Sequence, residues 1–360
     1  MTKLDQIIHG ECIEVLESLE AESVDVIFAD PPYNLQLEQG LGNANLKRPD
    51  GSKVDGVIEE WDRFQSLKSY DEFSQAWLKA AKRALKPNGT IWVMGSYHNI
   101  FRLGTLLQNL DYWMLNDVIW VKNNPMPNFR GRRFTNAHET LIWSAKDQNS
   151  RYHFEYQALK AFNEGLQMRS DWYLPICSGK ERLKDGSGNK VHPTQKPEAL
   201  LYRILMASTK PGDIVLDPFS GTGTTACVAK KLGRHYIGIE RNADYIVHSR
   251  ERLENTVPLA KEDLIVSTSP ASKPRVPFGR LIENGFLQPG DKLQSPCKKW
   301  QAQVRIDGSI KSGEHSGSIH QVSAKLQGST SCNGWTFWQK VTQDGTVNLD
   351  KLRDKYTESL

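Results

Sequence analysis

Short apolar runs alternate with longer stretches of helical spacing from the N-terminus to about residue 256. The run Val24, Asp25, Val26, Ile27, Phe28, Ala29 reads as a buried strand, preceded by a short strand at Ile7 to His9 and a helix over Ile13 to Leu19. Ser69 to Leu85 has helical spacing, with Asp71 and Glu72 in a first turn where the helix dipole favours acids, and Pro87, Asn88 and Gly89 end it. Thr90 to Met94 predicts the next buried strand, His98 to Leu110 a helix, and Met114 to Val121 and Thr140 to Ser144 two more strands. A helix over Glu198 to Ser208, a strand over Asp213 to Leu216, a helix over Ala226 to Leu232 and a strand over His235 to Ile239 close the series. Such alternation is the signature of an α/β fold, a parallel or mixed sheet with helices on both faces.

Two stretches interrupt it. Residues 35–65 are polar and rich in Gly and Asn, while residues 123–190 carry an Arg and Phe cluster followed by many Lys and Gly residues. Insertions of this length in a compact domain are usually functional loops. Gly40, Leu41 and Gly42 neither follow a strand nor open a helix, so they are not read as a nucleotide loop. At 360 residues the chain exceeds the size at which one core stops growing, which predicts two domains or one domain with an appendage. Pro270 to Pro277, with prolines and basic residues, reads as a linker.

With 38% hydrophobic and 24% charged residues, the composition is that of a soluble globular protein. No apolar run approaches the ~18 residues of a membrane span, and Met1 to Gln6 lacks the features of a signal peptide, so a cytoplasmic address and no membrane partner are expected. Cys12, Cys177, Cys227, Cys297 and Cys332 are odd in number and scattered, which suggests buried reduced thiols and neither a disulfide framework nor a metal site. The formal charge of +4 permits nucleic acid as a partner without implying it. Arg130, Arg132 and Arg133, interleaved with Phe129 and Phe134 beside Asn123, Asn124 and Asn128, form a mix suited to phosphates and bases, with solvated loop arginines as the plain alternative.

Candidate chemistry sits at two strand ends. Asp30, Pro31, Pro32 and Tyr33 place an acid, a rigid elbow and an aromatic ring after the buried strand. Proline fixes φ and lacks an N–H, so the elbow ends strand pairing and sets the direction of the carbonyls. A carboxylate and a carbonyl held this way accept from one planar NH₂ group, and Tyr33 offers a face for the ring that bears it. Later, Asp217, Pro218, Phe219, Ser220, Gly221, Thr222, Gly223 and Thr224 lie between a strand and a helix, and Glu240 closes the next strand. Glycines there allow close backbone approach to a ligand, and an acid at the tip of the second strand suits a ribose diol. No P-loop motif occurs, and the dinucleotide pattern lacks its third glycine. A nucleoside without pyrophosphate fits better, and S-adenosylmethionine (AdoMet) has that shape.

These motifs resemble those of a β-class DNA adenine-N6 methyltransferase of the cell-cycle-regulated (CcrM) group. Asp30 to Tyr33 matches the catalytic motif of that family and Asp217 to Thr224 its AdoMet motif, in the order the β class requires. The segment His192, Pro193, Thr194, Gln195, Lys196, Pro197 matches as well, and implies that Thr194 and Lys196 lie against the methionine part of the cofactor. Gly10, Glu11 and Cys12 match the segment near the cofactor adenine, where an Asp is commoner than Glu11. Read from the residues, Pro197 is a good first helical residue and Lys196 is a cation able to meet a carboxylate.

The resemblance implies a Rossmann-like AdoMet-dependent catalytic domain over residues 1–260, with target-recognition insertions near 35–65 and 123–190. A linker at 261–275 and a small C-terminal DNA-binding domain at 276–360 complete the expected layout. In that domain Ser316, Asn333 and Trp335 are the candidates for DNA contact, with Trp335 rather than Trp338 expected to be exposed. The implied partner is double-stranded DNA at a GANTC site, which no spacing in the chain derives. A homodimer and a nucleoid-associated location are further expectations of the class. Methylation of cytosine N4, RNA or a protein amide stays open on the residues alone, as does a catalytically silent DNA-binding regulator.

Overall fold

Burial along the second strand alternates, so that Val26 and Phe28 enter one core while Ile27 and Ala29 enter another. The computed structural model describes residues 3–34, 62, 64–127, 132–266, 276–343 and 345–358. The chain divides into two compact units, Met1–Ser267 and Thr268–Leu360. The first comprises β1 (Gln6–His9), α1 (Cys12–Ser18), β2 (Val24–Ala29), α2 (Leu67–Ala84), β3 (Leu85–Gly95), α3 (Ile100–Asn109), β4 (Trp113–Lys122) and β5 (His138–Ala145). It continues with α4 (Tyr156–Phe162), β6 (Asp171–Leu174), α5 (Glu198–Ser208), β7 (Ile214–Asp217), α6 (Thr224–Lys231), β8 (His235–Glu240) and α7 (Ala243–Glu254).

The eight strands form one sheet in the order β1-β8-β7-β2-β3-β5-β4-β6. The pairs from β1 through β3 are parallel, β5 runs antiparallel between β3 and β4, and β6 pairs parallel to β4. One core holds Leu200, Ile204 and Ala226 from α5 and α6, and the other Leu16, Trp77 and Leu103 from α1, α2 and α3. Helices therefore cover both faces. Trp92 and Trp143, on neighbouring strands, stack with centroids 5.1 Å apart.

Helix α2 begins earlier than its acidic residues suggest. Ser66 caps it in a reciprocal box with Ser69, so Asp71 lies beyond the first turn and pairs with Arg102 at 2.7 Å. Its last-turn cations reach outward: Arg83 donates to the Leu16 and Glu17 carbonyls of α1, and Lys82 to the Asp111 carbonyl after α3. Pro87 to Gly89 do not end this helix. The chain enters β3 at Leu85, and the register with β2 jumps from Val24↔Leu85 to Val26↔Thr90. Residues 123–190 are not purely an insertion either, since β5 and β6 belong to the sheet and α4 packs with α5. Residues 35–61 and 267–275, which hold most of the first insertion and part of the linker, lie outside the described residues.

The second unit holds α8 (Gly279–Glu283), β9 (Lys292–Gln294), β10 (Gln301–Val304), β11 (Ile310–Ser312), β12 (His315–Gly317), α9 (Ile319–Gln327), α10 (Gly334–Phe337), β13 (Gln339–Thr342), β14 (Gly345–Asn348) and α11 (Leu349–Glu358). Its antiparallel sheet has the order β12-β11-β10-β9-β13-β14. Trp335 is not exposed: it is 7% accessible, and with Trp338 at 0% it builds the core of this unit. Of the five cysteines only Cys12, Cys177 and Cys227 are buried, whereas Cys297 is exposed and Cys332 intermediate. Among the described residues no helix is long and apolar enough to cross a membrane, and no cluster of metal-ligating side chains occurs.

Candidate active site

Four adjacent parallel strands, β1, β8, β7 and β2, end at the same edge of the sheet, and each end carries one of the sequence motifs. Register fixes this. His9 pairs with Glu240, Asp217 with Gly238, and Leu216 with Ile27, so Gly10, Glu240, Asp217 and Asp30 meet although they are scattered along the chain. The carboxyl ends of parallel strands are where open α/β sheets bind ligands. A cavity of about 330 Å³ opens there.

The acids of the glycine-turn wall are held by side-chain bonds within residues 217–242, with Gly10 added from β1. Glu240 accepts from the N–H of Gly221 and of Asn242, each at 2.8 Å, and the Gly10 N–H donates to the Glu240 carbonyl at 3.1 Å. Burial pushes the Glu240 carboxyl up, opposed by these backbone bonds. Asp217 accepts from the Phe219 N–H at 2.9 Å and from the Thr225 hydroxyl at 2.5 Å. Burial raises its carboxyl to about 7. Phe219 packs edge-on against Trp77. Gly221 has φ +50°, and a Cβ there would lie 3.3 Å from His192 Nε2.

Gly10, Glu11, Cys12, Thr222 and Thr224 also line the cavity. Gly223 does not: with φ +74° it faces α7, where a Cβ would lie 3.1 Å from Ser249 Cβ, so it serves helix packing. The hydroxyl of Ser220 is turned against Gly238 of β8, which leaves its backbone to face the cavity. Glu11 pairs with Arg241 at 3.4 Å on the rim. Burial pushes the Cys12 thiol up to about 12, so it stays a thiol.

The proline-turn wall is held from afar. Asp62 accepts the N–H of Tyr33 at 2.6 Å and of Asn34 at 2.8 Å. The Pro32 carbonyl accepts from the Tyr70 hydroxyl at 2.9 Å and from Asn99 at 3.4 Å. Among the described residues no donor reaches the Pro31 carbonyl, so the two prolines, which both line the cavity, differ: the Pro32 carbonyl is committed to the scaffold and the Pro31 carbonyl is not. Asp30 Oδ2 lies 2.6 Å from Lys196 Nζ, and Asp30 Oδ1 lies 2.9 Å from the Tyr33 hydroxyl. That hydroxyl also lies 2.9 Å from Glu139, which pairs with Lys122 at 2.6 Å.

Lys196 arrives on a braced segment. Arg182 donates to the Pro193 carbonyl at 2.6 Å, the Leu183 N–H donates to Gln195, and Thr194 N–H donates to His192 Nδ1 at 3.1 Å. Burial, Lys196 and Arg182 bring His192 down to about 3, so it is neutral. For Lys196 burial works against the charge, but Asp30 and Glu139 more than restore it and hold the ammonium above its ordinary value.

Sequence reasoning missed Asp62, Tyr70, Asn99 and Glu139. Only Glu139 carried a signal, as an acid among the apolar residues of β5 opposite Trp120. The candidate nucleic-acid residues are dispersed. Arg132 and Phe134 are exposed, Phe134 at 99%, while Arg133 donates to the Tyr97 hydroxyl at 2.9 Å and Asn124 accepts from the Ile176 N–H at 3.0 Å. The Asn123 N–H bonds the Leu174 carbonyl at 3.3 Å, whereas Asn128 and Arg130 lie outside the described residues. In the second unit Ser316 is exposed on β12. Asn333 caps α10 by accepting from the Trp335 N–H at 3.1 Å, and Arg353 covers the Trp335 ring at 4.9 Å.

A mixed sheet with its ligand cavity at these strand ends is the fold of AdoMet-dependent methyltransferases. The structure of the M1.HpyAVI–SAM complex is similar at 28% identity and a TM-score of 0.50, over 69% of this chain and 98% of that one. The cytosine-N4-specific PvuII DNA methyltransferase shares the fold with a TM-score of 0.53 at 21% identity, over 73% and 91%. Residues 24–251 match the DNA methylase family, and the chain belongs to it. Residues 260–360 match a second family, described as restriction enzyme adenine methylase associated. The chain is 47% identical over 354 residues to the type II methyltransferase M.HinfI of Haemophilus influenzae, covering 98% of this chain and 97% of that protein. It is 41% identical to the type II methyltransferase M2.DpnII of Streptococcus pneumoniae, covering 69% and 89%.

Proposed function

We propose that the chain transfers the methyl group of AdoMet to N6 of an adenine flipped out of duplex DNA. The observation that carries this reading is the presence at the cavity wall of both the Asp30 carboxylate and the Pro31 carbonyl, which no donor among the described residues reaches. The cavity suits the cofactor in size, near the lower end of the about 300–1,000 Å³ usual for small-molecule sites. Its polar groups suit it in kind: Glu240 as acceptor for the ribose diol, Asp217 and Asp30 for positive charge, and the N-terminus of α6 for a carboxylate.

AdoMet, when bound, supplies an electrophilic methyl group. The chain does the rest. The N6 lone pair is delocalised into the adenine ring, and acceptance of its two N–H bonds by Asp30 and the Pro31 carbonyl favours the geometry in which that pair points at the methyl. Tyr33, fixed through its hydroxyl, gives a rigid face on which the flipped base stacks, offsetting part of the unstacking cost. No covalent intermediate is needed.

The motif resemblance to the cell-cycle-regulated group supports the finer readings: GANTC as the site, activity linked to chromosome replication at the nucleoid, and a homodimer. Base reading falls to Asn123 to Arg133, where Arg132 is exposed, to the Leu35 to Gly56 insertion, which lies outside the described residues, and to the C-terminal unit, where Ser316 is exposed. If Arg132 and its neighbours bind phosphates, affinity falls steeply with salt, and a flat response contradicts it. The deciding experiment is transfer of labelled methyl from AdoMet to duplexes with and without GANTC, followed by digestion to nucleosides. N6-methyladenosine confined to GANTC duplexes is expected. Label in N4-methylcytosine or in RNA overturns the reading.

A further inference from the structure

The Tyr33 hydroxyl has one proton and two carboxyl neighbours. Its oxygen lies 2.9 Å from Asp30 Oδ1 and 2.9 Å from Glu139 Oε2. A phenol donates once, and an ionised carboxylate only accepts. With both carboxyls ionised, one of the two contacts therefore has no proton in it. One added proton completes the row: Asp30 as an acid donates to the Tyr33 oxygen, and Tyr33 donates to Glu139. The outer oxygens are already engaged, Asp30 Oδ2 by Lys196 and Glu139 Oε1 by Lys122, each at 2.6 Å. These four charged side chains are only 10–16% accessible.

We propose that Asp30, Tyr33 and Glu139 form a row with room for one proton, which takes the proton that adenine N6 loses on methylation. Glu139 is the positioning residue that draws the Tyr33 hydroxyl away from Asp30. The inference rests on the adenine-N6 reading above. As the N6–carbon bond forms and the methyl leaves sulfur, nitrogen becomes positive. One N6–H bond then breaks, its electron pair stays on nitrogen, and the proton bonds to Asp30 Oδ1. The acid formed donates to Tyr33 Oη, whose own proton stays on the Glu139 side.

The charges around the row favour this placement. Asp30 is faced by Lys196 from the segment before α5, by Glu139 from β5 and by Asp217 from β7, while Lys122 of β4 faces Glu139. Arg182 faces Lys196, and His192 beside it is neutral. Burial pushes the Asp30 carboxyl up, Lys196 opposes this, the charge of Glu139 adds to the rise, and the Tyr33 hydroxyl, when it donates to Asp30, opposes it. At Glu139 burial is outweighed by Lys196 and Lys122, which hold its carboxyl low. Burial and both carboxylates keep Tyr33 well above the usual phenol range, so its own proton stays in place.

The test is single-turnover methyl transfer against pH on an adenine-containing duplex, with AdoMet affinity and the thermal midpoint measured for each variant. Glu139→Gln is expected to bind AdoMet as the wild type does, to slow transfer on the order of tenfold or more, and to move the acid limb to lower pH. Tyr33→Phe removes the acceptor for the Asp30 proton, so its acid limb also moves to lower pH, and Glu139→Gln added to it has a smaller effect than in the wild type, because only the through-space charge of Glu139 on Asp30 is left to lose. A limb that moves up or stays in Tyr33→Phe means that the hydroxyl serves Asp30 as a donor, and overturns the proposal even if Glu139→Gln does not fold. Wild-type behaviour of Glu139→Gln, or effects that multiply in the double variant, overturns it as well. If the wild type makes a product other than N6-methyladenine, the functional reading falls and the proton row with it. N6 methylation with unmoved pH profiles removes the row alone.

Discussion

The two walls of the cavity are built in opposite ways. On the glycine-turn wall each acid side chain bonds backbone or hydroxyl groups within one contiguous stretch, residues 217–242: Asp217 with Phe219 and Thr225, Glu240 with Gly221 and Asn242. On the proline-turn wall every partner beyond the Asp30–Tyr33 bond is remote: Asp62, Tyr70, Asn99, Glu139 and Lys196 come from four different segments. A wall made of local turns forms wherever its strand and helix form. A wall assembled from long-range contacts exists only in the complete fold, and it is where charges of both signs are buried together. The first is suited to holding a cofactor and the second to chemistry that needs a preorganised electrostatic setting.

This contrast is breakable by substitution. The largest effect is expected at Asp30→Ala, which lowers turnover on the order of 10²–10³-fold or more while duplex binding survives. Filter binding beside methyl transfer checks it, and loss of DNA binding in a folded variant counts against the assignment. Glu240→Ala tests the other wall. It strands the N–H groups of Gly221 and Asn242, a loss of about 1–3 kcal/mol, so AdoMet affinity falls on the order of five- to a hundredfold while turnover at saturating cofactor changes little. A large drop in turnover at saturation would erase the division between the walls.

A pH series sharpens it further. Burial holds the Asp217 carboxyl at about 7, above the ~3.9 of an unfolded chain. The ligand-free fold favours its neutral form, so the stability this group contributes is full below about pH 4 and is lost as pH rises through 7. A cationic cofactor prefers the carboxylate, so AdoMet affinity rises between pH 6 and pH 8, by up to about tenfold. Calorimetric titration measures this, and a flat or falling affinity removes Asp217 from the cofactor wall. The smallest effect is expected at Tyr70→Phe, which takes one donor from the Pro32 carbonyl and destabilises the protein by about 0.5–1.5 kcal/mol. Thermal unfolding reads it, and a loss of AdoMet affinity would show that the walls are coupled.

The same division decides how much of the molecule was legible in the chain. Helix α5 falls on Glu198–Ser208, where its apolar spacing and preceding proline put it, and β2 on Val24–Ala29, because propensity and periodicity act over a few residues. The strand, glycine turn, helix, strand and terminal acid are contiguous, so their joint meaning is local as well. Strand β6 was hidden in a polar stretch, since the four residues that form this edge strand beside β4 carry no period of their own. The burial of Trp335 was hidden for a related reason: a tryptophan reads alike whether it stacks a base or fills a core, and here Phe278 and Arg353 cover it.

The Asp30 to Tyr33 tetrad marks the boundary. The chain by itself determined that an acid and two carbonyls would stand at a rigid strand end, because proline geometry is a property of one or two residues. Only the tertiary structure decided that the Pro32 carbonyl is spent on Tyr70 and Asn99, that Asp30 faces Lys196, and that one phenolic proton lies between two carboxyls. Those facts depend on which distant side chains the sheet order brings within 3 Å or so of one another, and no local pattern encodes that order.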